Sequence, residues 1–523
     1  MFCKMKYFRS SYLIHFSDIM LGCLMIVLLS NCTKKFDEIN TDPTKLTSLS
    51  ANDVKALFPT AEYSGMYGAW GYQTAQGLFA DQYAQYFAGT QTAFASHRYV
   101  IVQKWVKDQF VTAYVNVMGP IQTIIQNTNE GKAPVLNGIA RIWKTFVMHR
   151  TTDYYGPIPY SKIGSDSIVI AYDAQKDIYY DFFKELAEAT SDLKNNIDLP
   201  NYGEGDLIYT GADATNNWIK FGNTLRLRLA LRISKVEPDK AKAEAEAAVA
   251  DGVFTDVSDD AICRVTDANF NAFCIQSGWN EFRMSANMES LLVGYSDPRL
   301  SKYFQPAKNG GYHGARNGME PAEQQLAANS YDNFSNVSVA LTPEDQGNTP
   351  MKVLRSAEAY FLRAEGALNG WNMGGTAEEL YKKGIEMAMK AWGVTDMNAI
   401  NAYINGTSLP SAPGGYFNTP ALTDIPVKFS SDPVKQREQI LTQKWLALYP
   451  DGHEAWAEMR RSTYPKMYPI IHSDNPDVPA NTMIRRITFL DYDRNTNAPA
   501  VDAAVDLLGG PDKASTPLWW DKN

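Results

Sequence analysis

Apolar positions recur at intervals of three and four residues over long stretches of the chain, and the stretches come in pairs. Residues 135–150 carry Ile139, Ile142, Trp143, Phe146 and Val147, and residues 177–196 carry Ile178, Phe182, Phe183, Leu186 and Leu193. That spacing predicts amphipathic helices. A second pair follows at 216–234, with Trp218, Phe221, Leu225, Leu229 and Ile233, and at the alanine-rich 238–253, opened by Pro238 where a first helical turn tolerates proline. The third pair is 351–368, with Val353, Ala357, Tyr360, Phe361, Ala364 and Leu368, then 377–391, with Leu380, Ile385 and Met389. The fourth is 432–448 and 453–461, joined by Tyr449-Pro450-Asp451-Gly452.

Helix pairs near 135–196, 216–253, 351–391 and 432–461 predict a mainly α fold, four tetratricopeptide-like pairs forming a right-handed scaffold. One pair cannot bury both its faces, so neighbours must stack. Ala364 and Ala388 stand where adjacent helices have to approach closely. Arg228 and Arg232, four apart, share a helix face, as Glu358 and Arg363 do approximately. Such charges at crossings read as buried, paired scaffold rather than chemistry. Residues 75–88 read as a further helix, with Leu78, Tyr83, Tyr86 and Phe87 on one side. Between the periodic segments lie long insertions near 60–75, 254–350 and 395–430, the later two rich in Gly, Pro, Asn, Ser and Asp. Insertions in a helical array gather on one face and carry binding function.

The first residues add an address. Lys4, Lys6 and Arg9 precede an apolar run from Ile19 to Ser30, too short for a bilayer span, which takes about 20 apolar residues. This is the shape of a secretory signal. It ends in Leu29-Ser30-Asn31-Cys32, a lipobox in which the cysteine thiol receives lipid and cleavage falls before it. Two or more acyl chains anchor stably, at about 0.8 kcal/mol per buried methylene. The chain thus divides into a lipoprotein signal peptide, 1–31, a lipidated tether, 32–49, with the turn Asn40-Thr41-Asp42-Pro43, and a single domain, 50–523.

Composition then removes whole classes. With a formal net charge of −9, made more negative when a basic signal is cut off, the chain has no electrostatic footprint for nucleic acid. The sequence has no Gly-x-Ser-x-Gly elbow and no phosphate loop, and His453-Glu454 lacks the second histidine of a zinc protease helix. Asp491, Asp493 and Asn495, with Asp502 in twelfth place, outline a calcium loop, but Thr496 stands where that loop needs glycine. The stretch reads as a capped loop before a helix at 502–508, and no metal, cofactor or catalytic residue is expected. Once the signal and anchor are set aside, Cys263 and Cys274 remain. In an oxidising compartment they are a disulfide pair or two buried thiols.

Several strings together resemble the SusD/RagB family of outer-membrane lipoproteins, in its SusD-like branch. They are Cys32 through Asn40 to Pro43, the helix Phe221 to Ile233 with Arg226, Arg228 and Arg232, Asp297-Pro298-Arg299-Leu300, Ala357 to Glu365, Gln443-Lys444-Trp445 through Glu454 and Trp456 to Arg461, and Arg485-Arg486 with the closing Leu518 to Asp521. The resemblance implies a non-enzymatic, cell-surface glycan-binding lipoprotein. It would capture oligosaccharides and deliver them to a partner SusC-like TonB-dependent transporter, as part of a polysaccharide-utilisation system. It would be lipid-anchored at the cell outer membrane, facing the exterior. A peptide-binding receptor of the RagB type is the alternative, and a surface glycosidase a weaker one.

Aromatics make up 12% of the chain, including 29 Tyr and 11 Trp, and several fall in the insertions. Sugar recognition needs a flat apolar face beside planar polar groups. Trp279, Asn280, Phe282 and Arg283 supply both within five residues, so they lead the binding candidates. Trp70 and Tyr72 come next, then Tyr312 in Asn309-Gly310-Gly311-Tyr312. A Cys32→Ala chain should bind ligand unchanged but leave the cell surface, seen by fractionation; continued attachment would refute the anchor.

Overall fold

Eight helices form the array that the periodicity predicts. They are α1 (Pro134–Tyr155), α2 (Gln175–Asn195), α3 (Ala214–Arg232), α4 (Pro238–Asp251), α5 (Ser356–Leu368), α6 (Ala377–Lys390), α7 (Pro433–Leu448) and α8 (Gly452–Ser462). The computed structural model describes residues 49–68, 71–165, 169–266 and 268–523, so the signal, Cys32 and Trp70 lie outside the described residues. Val54–Asn523 is one compact unit, and of the unit Met1–Asp53 only the end is described, where Ser50 Oγ donates to Asp53 at 2.6 Å.

Local chemistry sets the helix ends. Prolines open α1, α4 and α7, and Gly156, at φ +87°, closes α1. Thr376 and Glu379 form a reciprocal capping box on α6, and Asp432 and Asp451 cap α7 and α8 through backbone N–H groups. Each pair packs on itself, while α3 also packs on α2 and α5, and α5 on α7. Small residues permit these crossings. A Cβ on Gly222 would lie 2.6 Å from Thr190 of α2, and one on Gly384 of α6 would lie 2.9 Å from the Phe361 ring of α5. Ala364 and Ala388 are both fully buried.

The arginines of α3 tie the pairs together. Arg228 makes a two-pronged contact with Glu358 of α5, both bonds 2.7 Å. Arg232, one turn on, reaches Asp153 of α1 at 2.7 Å and also bonds Glu454 of α8. Arg461 of α8 grips Glu365 of α5 at 2.6 and 2.8 Å and shares Glu458 with Lys444 of α7, the lysine at 2.8 Å. Asp153 further accepts from Tyr179 of α2 at 2.7 Å and from the Trp520 indole at 2.8 Å. Arg363, by contrast, turns to the carbonyls of Met373 and Gly374.

Three expectations change, and the open reading of the cysteine pair is decided. Residues 351–354 are strand rather than helix: β4 (Met351–Leu354) follows Pro350 and pairs antiparallel with β2 (Ala261–Cys263). Residues 75–88 are not one helix, because the chain passes through a π turn at Gln73–Gly77, a short helix at Ala80–Tyr83, and Gln85 at φ +55° before strand β1 (Phe87–Gly89). Cys263 and Cys274 are not bonded; both are buried free thiols facing different carbonyls, those of Arg264 and Ala340. Residues Asp491–Thr496 are helical, with Asp493 accepting from Tyr172 at 2.7 Å, so the calcium-like spacing does not form a loop. Among the described residues no helix is long and apolar enough to cross a membrane, and no group of three or more His, Cys, Asp or Glu could hold a metal ion.

Arg228→Met strands Glu358 in the core and should cost about 3–5 kcal/mol, whereas Arg228→Met with Glu358→Met should recover much of that loss. Urea unfolding of both variants checks this. Equal losses would show that the pair does not couple α3 to α5.

Candidate functional site

Strand β1 pairs antiparallel with β3 (Phe282–Met284), setting Phe87 opposite Met284 and Gly89 opposite Phe282. This small ladder anchors the segment holding the leading candidates. Just ahead of β3, a 3₁₀ turn at Ser277–Trp279 ends in Asn280 at φ +58°, the left-handed conformation that asparagine tolerates better than most residues. The rings on either side of this turn differ in burial. Trp279 keeps 38% of its surface exposed, while Phe282 goes into the core, 4.6 Å from Phe87 and stacked at 5.9 Å on Phe273.

The turn is held firmly. Thr90 donates its hydroxyl to the Asn280 carbonyl at 2.6 Å and its N–H to the Glu281 carbonyl at 2.9 Å. Ser277 Oγ donates to the carbonyls of Cys274 and Leu341, each at 2.8 Å. A side chain on Gly278 would strike Pro343 at 2.4 Å, so glycine is needed for that approach. Glu281 accepts from Gln73 Nε2 at 2.6 and 2.7 Å, and burial raises its carboxyl above the usual range. Arg283 is buried and donates to the Phe282 carbonyl at 2.8 Å and to the Asn280 side chain. Burial pushes its guanidinium down to about 10, and its charge lies 5.1 Å from the ring of Tyr331, which is 38% exposed.

Two other candidates lie apart. Tyr72 is buried, its hydroxyl donating to Asp81 at 2.6 Å and its ring 5.8 Å from Phe273. Packing therefore occupies both Phe282 and Tyr72, which support the surface instead of presenting a face to it. Tyr312 is half-buried beside His313.

The chain next to Tyr312 forms a cleft that sequence reasoning missed. Glu289, His313, Arg316, Asn333, Phe334 and Tyr416 line a volume of about 270 Å³. Glu289 accepts from the Gly314 N–H at 2.6 Å and lies 3.5 Å from His313 Nδ1, with burial raising its carboxyl. Arg316 sits 4.9 Å from the Tyr468 ring and donates to the Pro469 carbonyl at 2.8 Å. Tyr416, 56% exposed, packs edge-on to Phe417 at 4.9 Å. A signal was present: Gly414-Gly415-Tyr416 repeats the Gly310-Gly311-Tyr312 string in a different insertion. The 3₁₀ turn Tyr331–Asn333 joins the two regions, with Tyr331 over Arg283 and Asn333 in the cleft wall. The arrangement offers ring faces, amides and guanidinium groups around a rigid turn.

The SusD-like profile, described as SusD and RagB outer membrane lipoprotein, matches residues 33–521. The chain belongs to the SusD-like family. Among solved structures it is similar to a chitin-binding SusD homolog from Flavobacterium johnsoniae, at 34% identity and a TM-score of 0.82, over 90% of this chain and 99% of that one. It is also similar to a SusD homolog from Bacteroides thetaiotaomicron, at 29% identity and 0.80, over 90% and 99%. A further chitin-binding protein matches at 27% identity and 0.74, over 90% and 100%. No curated protein sequence matches the chain. SusD-like proteins are glycan-binding outer-membrane proteins rather than enzymes, and the tetratricopeptide-type array of α1 to α8 is the scaffold this family shares.

Asp81, behind Tyr72, gives this region a pH signature. Burial pushes its carboxyl up to about 7, against the hydrogen bonds from Tyr72 and Gln76 that favour the charge. The folded state therefore binds a proton that the unfolded chain releases near pH 4. The stabilisation is complete below that and is lost as pH rises through 7, with a limiting slope of about 1.4 kcal/mol per pH unit. Asp81→Asn should flatten the decline in unfolding free energy between pH 5 and 8. Glu454, also pushed up to about 7 chiefly by burial, preserves part of the slope. An unchanged slope would contradict this assignment.

Proposed function

We propose that this SusD-like protein captures an oligosaccharide at the outer face of the cell and passes it to a TonB-dependent transporter beneath it. Lipid at Cys32 would hold it there, and residues 33–49 would serve as a slack strap. The observation that carries the glycan reading is Trp279: an exposed indole on a turn fixed by hydrogen bonds on both sides, with Asn280 beside it. Stacking on a sugar ring needs a plane already in position, because ordering a mobile side chain would consume the small gain of each contact. Asn280 and Tyr331 would add polar and aromatic contacts, and His313, Arg316 and Tyr416 would extend the surface along the cleft. Tyr312 remains a candidate beside the cleft, and Trp70, outside the described residues, a candidate from the sequence, whereas Arg283 would position Asn280 from below.

Chitin-type oligosaccharides are the first ligands to test, given the chitin-binding relative from Flavobacterium johnsoniae. Isothermal titration of the chain from residue 33 onward should register binding to at least one such oligosaccharide. Trp279→Ala should weaken it about 10-fold or more, the cost of losing a central aromatic contact. Tyr72→Phe, whose ring is buried, should change affinity little. Full affinity in Trp279→Ala would remove the indole from the site. Binding to peptides with none to any oligosaccharide would favour a RagB-type receptor.

A further inference from the structure

We propose that the cavity between α1, β4 and the start of α8 is a separate binding site for a small oxyanion, a carboxylate or a sulfate group. Arg150 of α1, Lys352 of β4, Trp392 just beyond α6, Asp451 ahead of α8, Tyr72 and Asn271 contribute to its walls. The cavity is about 50 Å³, and since one water needs about 10–15 Å³ by this measure, it holds a few waters or one small anion.

Its polar groups are unbalanced. The indole N–H of Trp392 and Nε of Arg150 are buried with no hydrogen-bond acceptor among the described residues. Arg150 is only 3% exposed, and its other nitrogens donate to the Gly65 carbonyl at 3.2 Å and to Gln76 at 2.9 Å. Lys352 Nζ sits 4.3 Å from the Trp392 ring centre, with no carboxylate at ion-pair distance among the described residues, and burial pushes its amine down to about 8. Asp451 is already engaged. It caps the Glu454 N–H at 3.3 Å and lies 3.6 Å from Arg150. The Tyr72 hydroxyl donates away from the cavity, to Asp81. Two buried donors without acceptors, and two cations against one occupied carboxylate, call for a ligand that brings oxygen acceptors and negative charge.

The glycan reading plays no part in this assignment. The chain from residue 33 onward, which includes the whole compact unit Val54–Asn523, is the protein to test. Acetate or sulfate replacing chloride at equal ionic strength should raise its unfolding temperature by about 1–3 °C. Lys352→Met should weaken the effect about 10-fold or more, and Trp392→Phe, which keeps the ring and loses the N–H, should reduce it. Trp279→Ala should leave it intact, so failure here and failure of the glycan site can be told apart. Stabilisation by the free anions identifies a free ligand. A shift seen only with a glucuronate-bearing oligosaccharide and not its neutral counterpart identifies an anion carried on a sugar. No anion-specific shift from either source overturns the proposal, as does an equal shift in wild type and Lys352→Met.

Discussion

Charge burial is the constraint on which this scaffold depends. A guanidinium removed from water must find carboxylates in fixed geometry or carry a desolvation penalty of several kcal/mol. Arg228 and Arg232 meet that requirement only if α3 lies in one register against α5, α1 and α8 simultaneously. Arg461 imposes the same demand between α8 and α5. Apolar packing tolerates a helix sliding by a turn, since one leucine face resembles the next. A two-pronged arginine contact does not. The buried network therefore contributes register to the array more than net stability, and Trp520 extends it to the chain's last residues by donating to Asp153.

With the helices locked, the insertions are free to do something else. The segment that carries Trp279 is not part of any helix pair; it is tied down by β1, Thr90 and Pro343. Its rigidity is local and separate from the charge network. The cleft draws its walls from two separate insertions, with His313 and Tyr416 about a hundred residues apart in the chain. Recognition surfaces of this kind need fixed positions for a few rings and amides, and strand pairing with buried neighbours provides them without a large dedicated core.

The helix pairs were legible because their signals are local: a 3.6-residue apolar period and, at Pro238, a proline in the first turn. What was illegible depended on partners distant in sequence. Met351 to Leu354 fits a helical period as well as an extended one, and only pairing with Ala261–Cys263, some ninety residues earlier, selects the strand. Arg228 and Arg232 could be read as buried and paired, but not to whom. Arg363 shared their chemistry and turned to backbone carbonyls instead. At the site, composition singled out the stretch from Trp279 to Arg283 without saying which side chains face outward. Tyr416 went unnoticed because its significance comes from His313 and Arg316 across the cleft.

The division of labour also bears on how relatives with about a third of their residues in common retain one fold. The Flavobacterium johnsoniae structure shares 34% identity yet superposes with a TM-score of 0.82. A scaffold registered by a small number of buried arginines and carboxylates tolerates wide change elsewhere, provided those few residues and the small side chains at crossings persist. The turn before β3 shows how little the recognition surface needs. Asn280 in its left-handed conformation lies between Trp279, whose indole stays at the surface, and Phe282, which enters the core. Within four residues the chain thus supplies both a supporting ring and an exposed one. The identity of the exposed ring can then change without disturbing the helix array, because β1 and Thr90 hold the turn that carries it.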